Sequence, residues 1–182
     1  MKTDLSTYNN DWYKPGGKVK RALWYCFNNT FLLNPYNPSS GLKKVVLKMF
    51  GAKIGRGVVI KQRVNIKYPW KLEVGDYSWI GEGVWIDNLA NVKIGEHCCV
   101  SQGALLLCGN HNYKKTSFDL IVSDIKLDDG VWIGAKAIVT GGVVCNSHAL
   151  LTAGSVATTN LEEYSIYQGN PAQKVRERII SD

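Results

Sequence analysis

The stretch IGRGVVIKQRVNI, residues 54–66, decides the fold of this 182-residue chain. Aliphatic side chains stand six residues apart in it, at Ile54, Ile60 and Ile66. A small β-branched residue follows four places after each of the first two. An α-helix and a half-buried strand cannot hold this spacing, because their side-chain periods are about 3.6 and 2 residues. Short strands joined by tight turns can hold it, and three of them make one coil of a parallel β-helix.

The same two columns continue along the chain beyond this stretch. The aliphatic column comprises Ile54, Ile60, Ile66, Val74, Ile80, Ile86, Ile94, Val100, Leu106, Leu127, Ile133, Val139, Cys145, Leu151 and Ala157. The small column comprises Val58, Val64, Ser78, Val84, Ala90, Cys98, Ala104, Val131, Ala137, Val143, Ala149 and Ser155. We expect the aliphatic residues to fill the interior of a prism and the small ones to fit near its corners. A glycine-rich β-sandwich, the alternative, does not explain two columns in register.

The repeats predict a mainly β solenoid of about five coils, in which each coil buries the open face of its neighbour. The predicted coils start at Ile54, Val74, Ile94, Leu127 and Cys145. Glycine often follows the aliphatic residue, as at Gly55, Gly75, Gly81, Gly95 and Gly134. We expect these glycines to supply turn dihedrals that other residues resist.

Three parts of the chain follow from the extent of the repeats. Residues 1–50 form an N-terminal arm with short helices, and residues 51–160 form the solenoid with an inserted loop at about 109–124. Residues 161–182 form a C-terminal tail, which we predict to be helical.

The arm contains two candidate helices, residues 18–33 and 42–50, separated by Asn, Pro, Ser and Gly residues that break the chain. The favoured interpretation is a cap over the open end of the first coil, which would cover its unpaired edge. The alternative is a membrane-surface patch, because Lys and Arg alternate with Trp and Phe in the first helix.

Composition excludes several classes of protein. No apolar run approaches the ~18–20 residues of a membrane span. The first residues lack the apolar stretch of a signal peptide, so we expect a cytoplasmic location, at the inner face of the membrane if the arm docks there. The five cysteines form no spaced framework, and we expect them to be reduced. The net charge of +7 comes without a nucleic-acid-binding signature, so no nucleic acid partner is expected.

The register of the repeats fails badly between Leu106 and Leu127. These residues are 21 apart where eight would keep register, so about thirteen residues leave the solenoid as a loop. The loop opens with CGNHNY, residues 108–113, and His111 lies where the chain leaves the coil. An imidazole there is a candidate general base. His97 and His148 occupy outward positions within the repeats, and we expect solvated surface residues.

Several segments resemble the hexapeptide-repeat acyltransferases over nearly the whole chain. They are GLKKVVLKMFGAKIGRGVVI (41–60), WIDNLANVKIG (85–95), VSQGALLLCGNHNY (100–113), VWIGAKAIVTGGV (131–143), TAGSV (152–156) and GNPAQKVRER (169–178). The chain looks most similar to the colanic acid biosynthesis acetyltransferase group, which is related to the maltose and galactoside O-acetyltransferases. The resemblance implies a left-handed coil, a homotrimer, and acetyl-CoA bound as co-substrate in clefts between subunits, without a metal.

The resemblance also implies roles for individual residues. His111 matches the catalytic histidine, which would take the proton of the acceptor hydroxyl while backbone N–H groups stabilise the oxyanion. The implied acceptor-binding residues are Asn88, Gln102, Asn110 and Asn112. The implied cofactor-binding residues are Trp132, Gly134, Ala135, Ala153, Gly154, Thr158, Thr159, Lys174, Arg176 and Arg178.

The sequence departs from the family pattern after the histidine, where Asn112 replaces the usual Asp. An amide does not stabilise imidazolium as a carboxylate does. The partner that orients His111 is therefore open between Asp87, Asp119 and a backbone carbonyl.

The implied function is an acetyl-CoA-dependent O-acetyltransferase acting on a sugar hydroxyl, in exopolysaccharide or lipid-linked oligosaccharide synthesis. The alternatives are a free sugar, an amino sugar or another small acceptor, or a non-catalytic trimeric scaffold. A γ-class carbonic anhydrase needs three zinc-binding histidines, typically with two of them five residues apart. The spacings of 14 and 37 residues here do not fit that pattern. A serine acetyltransferase would carry a longer helical N-terminal domain.

Overall fold

The chain winds as a left-handed parallel β-helix with three flat faces. The computed structural model describes residues 2–181; Met1 and Asp182, the outermost residues of the predicted arm and tail, lie outside the described residues. Face A consists of β1 (Lys53–Ile54), β4 (Leu72–Val74), β7 (Val92–Ile94), β12 (Ile125–Leu127) and β15 (Val144–Cys145).

The other two faces repeat the same arrangement. Face B consists of β2 (Val59–Ile60), β5 (Trp79–Ile80), β8 (Cys99–Val100), β13 (Trp132–Ile133), β16 (Leu150–Leu151) and β18 (Ser165–Gly169), with β19 (Ala172–Glu177) antiparallel at its edge. Face C consists of β3 (Asn65–Ile66), β6 (Trp85–Asp87), β9 (Leu105–Leu107), β14 (Ile138–Thr140) and β17 (Val156–Ala157). The chain turns at the A/B, B/C and C/A corners in that order.

The two sequence columns form the interior of the prism, as predicted. The predicted coil starts stack in register on face A, where Ile54 pairs with Val74 and Val74 with Ile94. Every residue of the small column is buried. Five complete coils are followed by a partial sixth, which begins where Leu161 bridges Cys145 and ends in β18. The coil count is therefore slightly higher than predicted.

The glycines that follow the aliphatic column serve close approach of the coils, and the prediction that they supply turn dihedrals was wrong. A Cβ at Gly75 would lie 2.6 Å from the carbonyl carbon of Gly95 in the next coil. The left-handed backbone occurs two residues later, where Gly57 (φ 65°) and Tyr77 (φ 55°) occupy equivalent corner positions. The stacked backbones leave no room for a side chain directly after the aliphatic residue, whereas the corner position two residues later can hold one.

The arm packs two helices on the first coil. Helix α1 spans Lys18–Phe27 and continues into a π-helical segment, Asn28–Leu32, and helix α2 spans Ser40–Met49. The buried indole of Trp24 donates a hydrogen bond to the carbonyl of Ile66 at 2.8 Å. No helix within residues 2–181 combines the length and apolar character needed to cross a membrane.

Lys43 of α2 is fully buried over the first coil. Its ammonium donates to the carbonyls of Ile60 (3.4 Å) and Lys61 (2.9 Å), next to the point where face B ends. Burial, and secondly the charge of Lys61, lowers the pKa of Lys43. Lys43 therefore donates hydrogen bonds to carbonyls at the end of the solenoid, where no further coil is present to pair with them.

We expect Lys43→Met to lower the free energy of unfolding by about 2 kcal/mol, because it removes a charged donor from two carbonyls beneath the helix. Lys44→Met is the matched control; it changes a lysine with no such bonds, and we expect less than about 0.5 kcal/mol. Urea unfolding of both variants checks the prediction. Equal stabilities for the two variants would show that Lys43 has no such role.

The tail is a β-hairpin, so the predicted tail helix was wrong. Strand β18 pairs in parallel with β16 of face B, and β19 returns antiparallel beside β18. The edge of the last coil offers unpaired backbone groups, and a strand satisfies them whereas a helix would not. That tertiary pairing outweighs the helix-like spacing of residues 172–180.

Candidate active site

The loop at the C/A corner of the third coil contains a short antiparallel hairpin. Its strands are β10 (Gly109–His111) and β11 (Leu120–Val122), with His111 opposite Leu120. The amide of Asn112 donates to the carbonyl of Asp119 at 2.8 Å, which continues the pairing by one residue. The predicted inserted loop therefore holds His111 on a paired strand, at the corner of the solenoid.

The His111 ring is held by Phe118, across the hairpin. Nδ1 lies 2.9 Å from the Phe118 carbonyl oxygen, and the two rings stack with centroids 4.4 Å apart. Because a carbonyl only accepts, Nδ1 carries the proton in this contact. The lone pair is then on Nε2, which is the tautomer that a general base requires.

The two carboxylates considered as orienting partners have other partners. Asp87 forms an ion pair with Lys67 at 2.9 Å. Asp119 accepts from Lys115 (2.8 Å) and from Ser117 (2.6 Å), and these two bonds lower the pKa of Asp119. Of the three alternatives, the backbone carbonyl is therefore the one in contact with the histidine.

Two asparagines flank the histidine and shape the hairpin locally. Asn110 Oδ1 accepts from the amide of His111 at 2.8 Å, and Asn112 Oδ1 accepts from the amide of Lys114 at 3.2 Å. Both are next to His111 in the chain, where successive side chains of the strand point to opposite faces. Gln102 is exposed in the turn between β8 and β9, in the same coil but at the B/C corner.

The structure removes Asn88 from the predicted acceptor-binding set. Its side chain is fully buried, accepting from the amide of Tyr68 (2.9 Å) and donating to the carbonyl of Tyr68 (2.6 Å). These two bonds tie successive coils together. The polar atoms are used by the scaffold and do not face a substrate.

The predicted cofactor residues lie mainly on another corner. Gly134 and Ala135 are in the turn between β13 and β14, and Ala153 and Gly154 are in the turn between β16 and β17. Both turns form the B/C corner of successive coils. The C/A loop of the same chain is separated from them by the width of face C, so one chain does not bring His111 to this row.

The remaining predicted cofactor residues lie outside this row. Trp132 lies on face B, and its indole N–H donates to Ser101 Oγ at 2.9 Å. Thr158 and Thr159 are exposed and follow β17 toward the C/A corner. Arg176 is exposed on β19 and forms no ion pair within residues 2–181.

Two basic residues of the tail are occupied by protein groups. Lys174 pairs with Glu162 (2.8 Å) and Glu177 (2.7 Å), and these bonds raise the pKa of Lys174. Arg178 donates from Nη1 to the carbonyls of Gly130 and His148, both at 3.0 Å. Lys174 and Arg178 therefore fasten the tail hairpin, and their role at a cofactor stays a prediction.

The other two histidines belong to the scaffold. His97 and His148 adopt left-handed backbone at the A/B corner (φ 54° and 58°). Their rings stack on Tyr77 at 5.3 Å and on Tyr164 at 4.7 Å, respectively. Within residues 2–181, no cluster of three or more His, Cys, Asp or Glu side chains is arranged to hold a metal.

An N-terminal segment, residues 2–16, reaches the histidine loop and was missed by sequence reasoning. The amide of Asp4 donates to the Thr116 carbonyl at 2.9 Å, and the Tyr8 ring lies 5.9 Å from the His111 ring. Further along, the Tyr13 hydroxyl donates to the Leu89 carbonyl at 2.6 Å. The concentration of tyrosine and tryptophan in an otherwise polar segment was its signal in the sequence.

Known proteins resemble this chain in sequence and in fold. No family model matches the chain. It is 32% identical over 170 residues to the putative colanic acid biosynthesis acetyltransferase WcaF of Escherichia coli, covering 93% of each chain. It is 22% identical over 162 residues to the E. coli galactoside O-acetyltransferase, covering 86% of this chain and 76% of that protein.

Solved structures agree at the level of the fold. A hexapeptide-repeat acetyltransferase from Vibrio cholerae, complexed with acetyl-CoA, superposes with a TM-score of 0.83 at 17% identity, covering 97% of this chain and 96% of that one. A maltose O-acetyltransferase from Clostridium difficile superposes with a TM-score of 0.73 at 20% identity, covering 95% and 92%. The repeats, the loop histidine and the 32% identity to the E. coli protein all point to the same family. The chain belongs to the hexapeptide-repeat acetyltransferases, in the colanic acid biosynthesis acetyltransferase group.

Proposed function

We propose that the protein transfers an acetyl group from acetyl-CoA to a sugar hydroxyl, with His111 as general base. The observation that carries the proposal is the contact between His111 Nδ1 and the Phe118 carbonyl, which leaves Nε2 as the proton acceptor. Deprotonating a hydroxyl requires a base with its lone pair free, and a ring held on two sides is already oriented for it.

In the proposed reaction, His111 holds one proton from the attack of the acceptor until the thiol of CoA leaves. Nε2 takes the hydroxyl proton as the acceptor oxygen attacks the thioester carbonyl carbon. The C–O bond forms, and backbone N–H groups stabilise the oxyanion of the tetrahedral intermediate. The C–S bond then breaks, and the imidazolium returns its proton to the departing sulfur, which leaves as the thiol of CoA.

Neighbours of His111 are assigned to the acceptor. Asn110 and Asn112 precede and follow His111 in the chain, and their amide groups suit sugar hydroxyls, which both donate and accept. Gln102 lies at the B/C corner, away from the His111 loop of its own chain. It could therefore bind the acceptor only beside the His111 loop of a neighbouring copy.

The row at the B/C corner is assigned to the donor. Small residues at Gly134, Ala135, Ala153 and Gly154 leave this corner free of bulky side chains for the slim pantetheine arm. The amides of Gly134 and Gly154 already donate to the carbonyls of Leu151 (2.7 Å) and Ala135 (2.9 Å), so we assign the amides of Ala135 and Ala153 to the ligand. We assign Trp132, Thr158 and Thr159 to the same ligand, and Arg176 to its phosphates, because its guanidinium has no carboxylate partner within residues 2–181.

A homotrimer would complete this site. In a closed threefold ring of parallel prisms, each copy uses two faces, and the corner between them points to the axis. Only with the A/B corner at the axis does the C/A loop of one copy meet the B/C row of the next. This arrangement packs face B of one copy against face A of its neighbour and brings His111 to the donor row.

Face B carries side chains suited to this contact. Its outward ladder, in register from coil to coil, comprises Val59, Trp79, Cys99, Trp132, Leu150 and Ile166. Trp79 is 59% exposed and Trp132 44% exposed. Exposed indoles, here two coils apart with Cys99 between them, are typical of a subunit interface, where they supply much of the binding energy.

The acceptor class is inferred from the relatives. The E. coli relative is described as acting in colanic acid biosynthesis, and others as galactoside or maltose O-acetyltransferases. We infer a sugar hydroxyl of an exopolysaccharide precursor or a lipid-linked oligosaccharide, reached from the cytoplasmic side. A free sugar or amino sugar uses the same chemistry and is an outcome of the test below.

A thiol-release assay with acetyl-CoA tests the proposal. We expect CoA release that depends on a saccharide acceptor, with mass spectrometry showing a gain of one acetyl group on the sugar. An amino sugar with its hydroxyls blocked distinguishes transfer to nitrogen. CoA binding without transfer to any of a broad panel of mono- and oligosaccharides would favour a non-catalytic scaffold.

A further inference from the structure

The basic residues of the chain are concentrated in one segment. Residues 12–72 contain 13 Lys and Arg and no Asp or Glu, whereas the rest of the chain contains nine basic and 15 acidic residues. This segment comprises the cap helices and the first coil. Such asymmetry indicates an anionic partner for this end of the molecule, because a solubilising surface needs no segregation of charge.

Part of this positive charge is neutralised within the fold. The coil residues pair with carboxylates of the second coil, in Lys53–Glu73, Arg56–Asp76, Arg63–Glu82 and Lys67–Asp87. The lysines of the cap helices differ. Within residues 2–181, no carboxylate pairs with Lys18, Lys20, Lys44 or Lys48.

The same helices expose apolar stripes. On α2, Leu42, Val45 and Met49 lie on one face and are 42%, 56% and 69% exposed. On α1, Val19 and Leu23 are one turn apart and are 74% and 51% exposed. These spacings place each set along one side of its helix. The aromatic residues of α1 that suggested a membrane patch in the sequence, such as Trp24, instead point inward.

The stripes face away from the solenoid. Trp24 of α1 and Lys43 of α2 both bind carbonyls of the first coil, so the opposite helix faces look outward from its end. Apolar side chains flanked by ammonium groups fit the boundary between acyl chains and anionic headgroups. A soluble polyanion would match the lysines but not the stripes.

We propose that the outer faces of α1 and α2 dock on an anionic phospholipid bilayer. The surface comprises Val19, Leu23, Leu42, Val45, Met49 and the cap lysines Lys18, Lys44 and Lys48. Lys20 is not part of it, because its ammonium lies over the Trp70 ring at 4.5 Å. This inference deepens the proposed function, since it favours a lipid-linked saccharide as acceptor. In the proposed trimer the three parallel solenoids present their caps at the same end, so three weak contacts act together.

The geometry sets the height of the site above the bilayer. His111 is on the third coil, two coil spacings from the first, or about 10 Å at ~4.8 Å per coil. The cap helices add roughly another 10 Å, the diameter of a helix. A sugar attached to a membrane lipid through a phosphate linkage extends from the headgroup region toward this height.

Vesicle co-sedimentation of the full chain tests the inference. We expect binding to vesicles containing about 30% phosphatidylglycerol and at least tenfold weaker binding to pure phosphatidylcholine. Two variants separate the contributions: Lys18, Lys44 and Lys48 all changed to Gln, and Leu23, Val45 and Met49 all changed to Gln. Each should lose binding at least tenfold. The control Lys2→Gln with Lys114→Gln, remote from the cap, should stay within twofold.

Three outcomes would overturn the inference. They are equal binding to both vesicle types, unchanged binding by the Leu23, Val45 and Met49 variant, and binding to heparin but not to vesicles. Thiol release with a soluble acceptor should be unchanged in both cap variants. Vesicle binding needs no catalysis, so a failure of docking and a failure of the proposed activity are read separately.

Discussion

His111→Ala should lower the rate of acetyl transfer by about 10²- to 10⁴-fold, the contribution usual for a positioned general base. The variant removes the only group that we assign to accept the hydroxyl proton, while the hairpin keeps its backbone pairing. We expect the dissociation constant for CoA to change little, because the predicted donor row lies on another corner. Initial rates of thiol release, with acceptor in excess, measure the first effect, and calorimetric titration with CoA measures the second.

A matched histidine provides the control for this prediction. His97→Ala removes an imidazole that stacks on Tyr77 at the A/B corner, which the proposed trimer places at its axis and away from the His111 loop. Sedimentation velocity on this variant therefore accompanies the rate measurement. We expect its rate to stay within about threefold of the native protein. A His111→Ala enzyme that retained a tenth of the native rate, with its trimer intact, would contradict the assignment of the base.

Trp79→Glu should break the proposed trimer and abolish most of the activity with it. The substitution places a carboxylate in the middle of the apolar ladder on face B, and the threefold ring repeats it in every interface. Truncating a hot-spot aromatic residue of an interface costs about 2 kcal/mol or more, and burying an unpaired charge adds to that cost. Sedimentation velocity measures the assembly, and the thiol-release assay measures the activity.

Trp85→Glu is the matched control for the assembly. Trp85 is in the same coil, also exposed (44%), but on face C, which the proposed ring leaves outside the contact. We expect this variant to remain trimeric. If Trp85→Glu dissociated the protein and Trp79→Glu did not, face C rather than face B would be the face that packs against face A, and the proposed position of the threefold axis would be wrong.

The architecture could be predicted from the sequence because its signal is local and repeated. Each coil carries the same demand for a large residue inside and a small one beside it, so the pattern recurs from Ile54 to Ala157. A single interruption of that pattern identified the loop with His111. The cap helices were equally accessible, since their apolar spacing and the breaking residues between them are local features.

The interactions that complete the site could not be predicted in this way. The Phe118 carbonyl that contacts His111, the Tyr8 ring beside it and the Leu89 carbonyl under Tyr13 belong to segments that come together only when the arm folds along the C/A corner. Every residue has a backbone carbonyl, so the pattern of side chains in the sequence does not indicate which carbonyl will contact the site.

The sequence by itself therefore determined the solenoid, its coil register and the position of the candidate base, because these depend on side-chain size repeated at a short, regular interval. The tertiary structure decided which polar groups are free. It buried Asn88 against Tyr68, paired Lys174 with two glutamates, turned the tail into a strand and left four cap lysines without carboxylates. Those outcomes depend on the backbone and charged groups of the neighbouring coil, which are about twenty or more residues away along the chain. A pattern of neighbouring side chains carries no information about groups that far away in sequence.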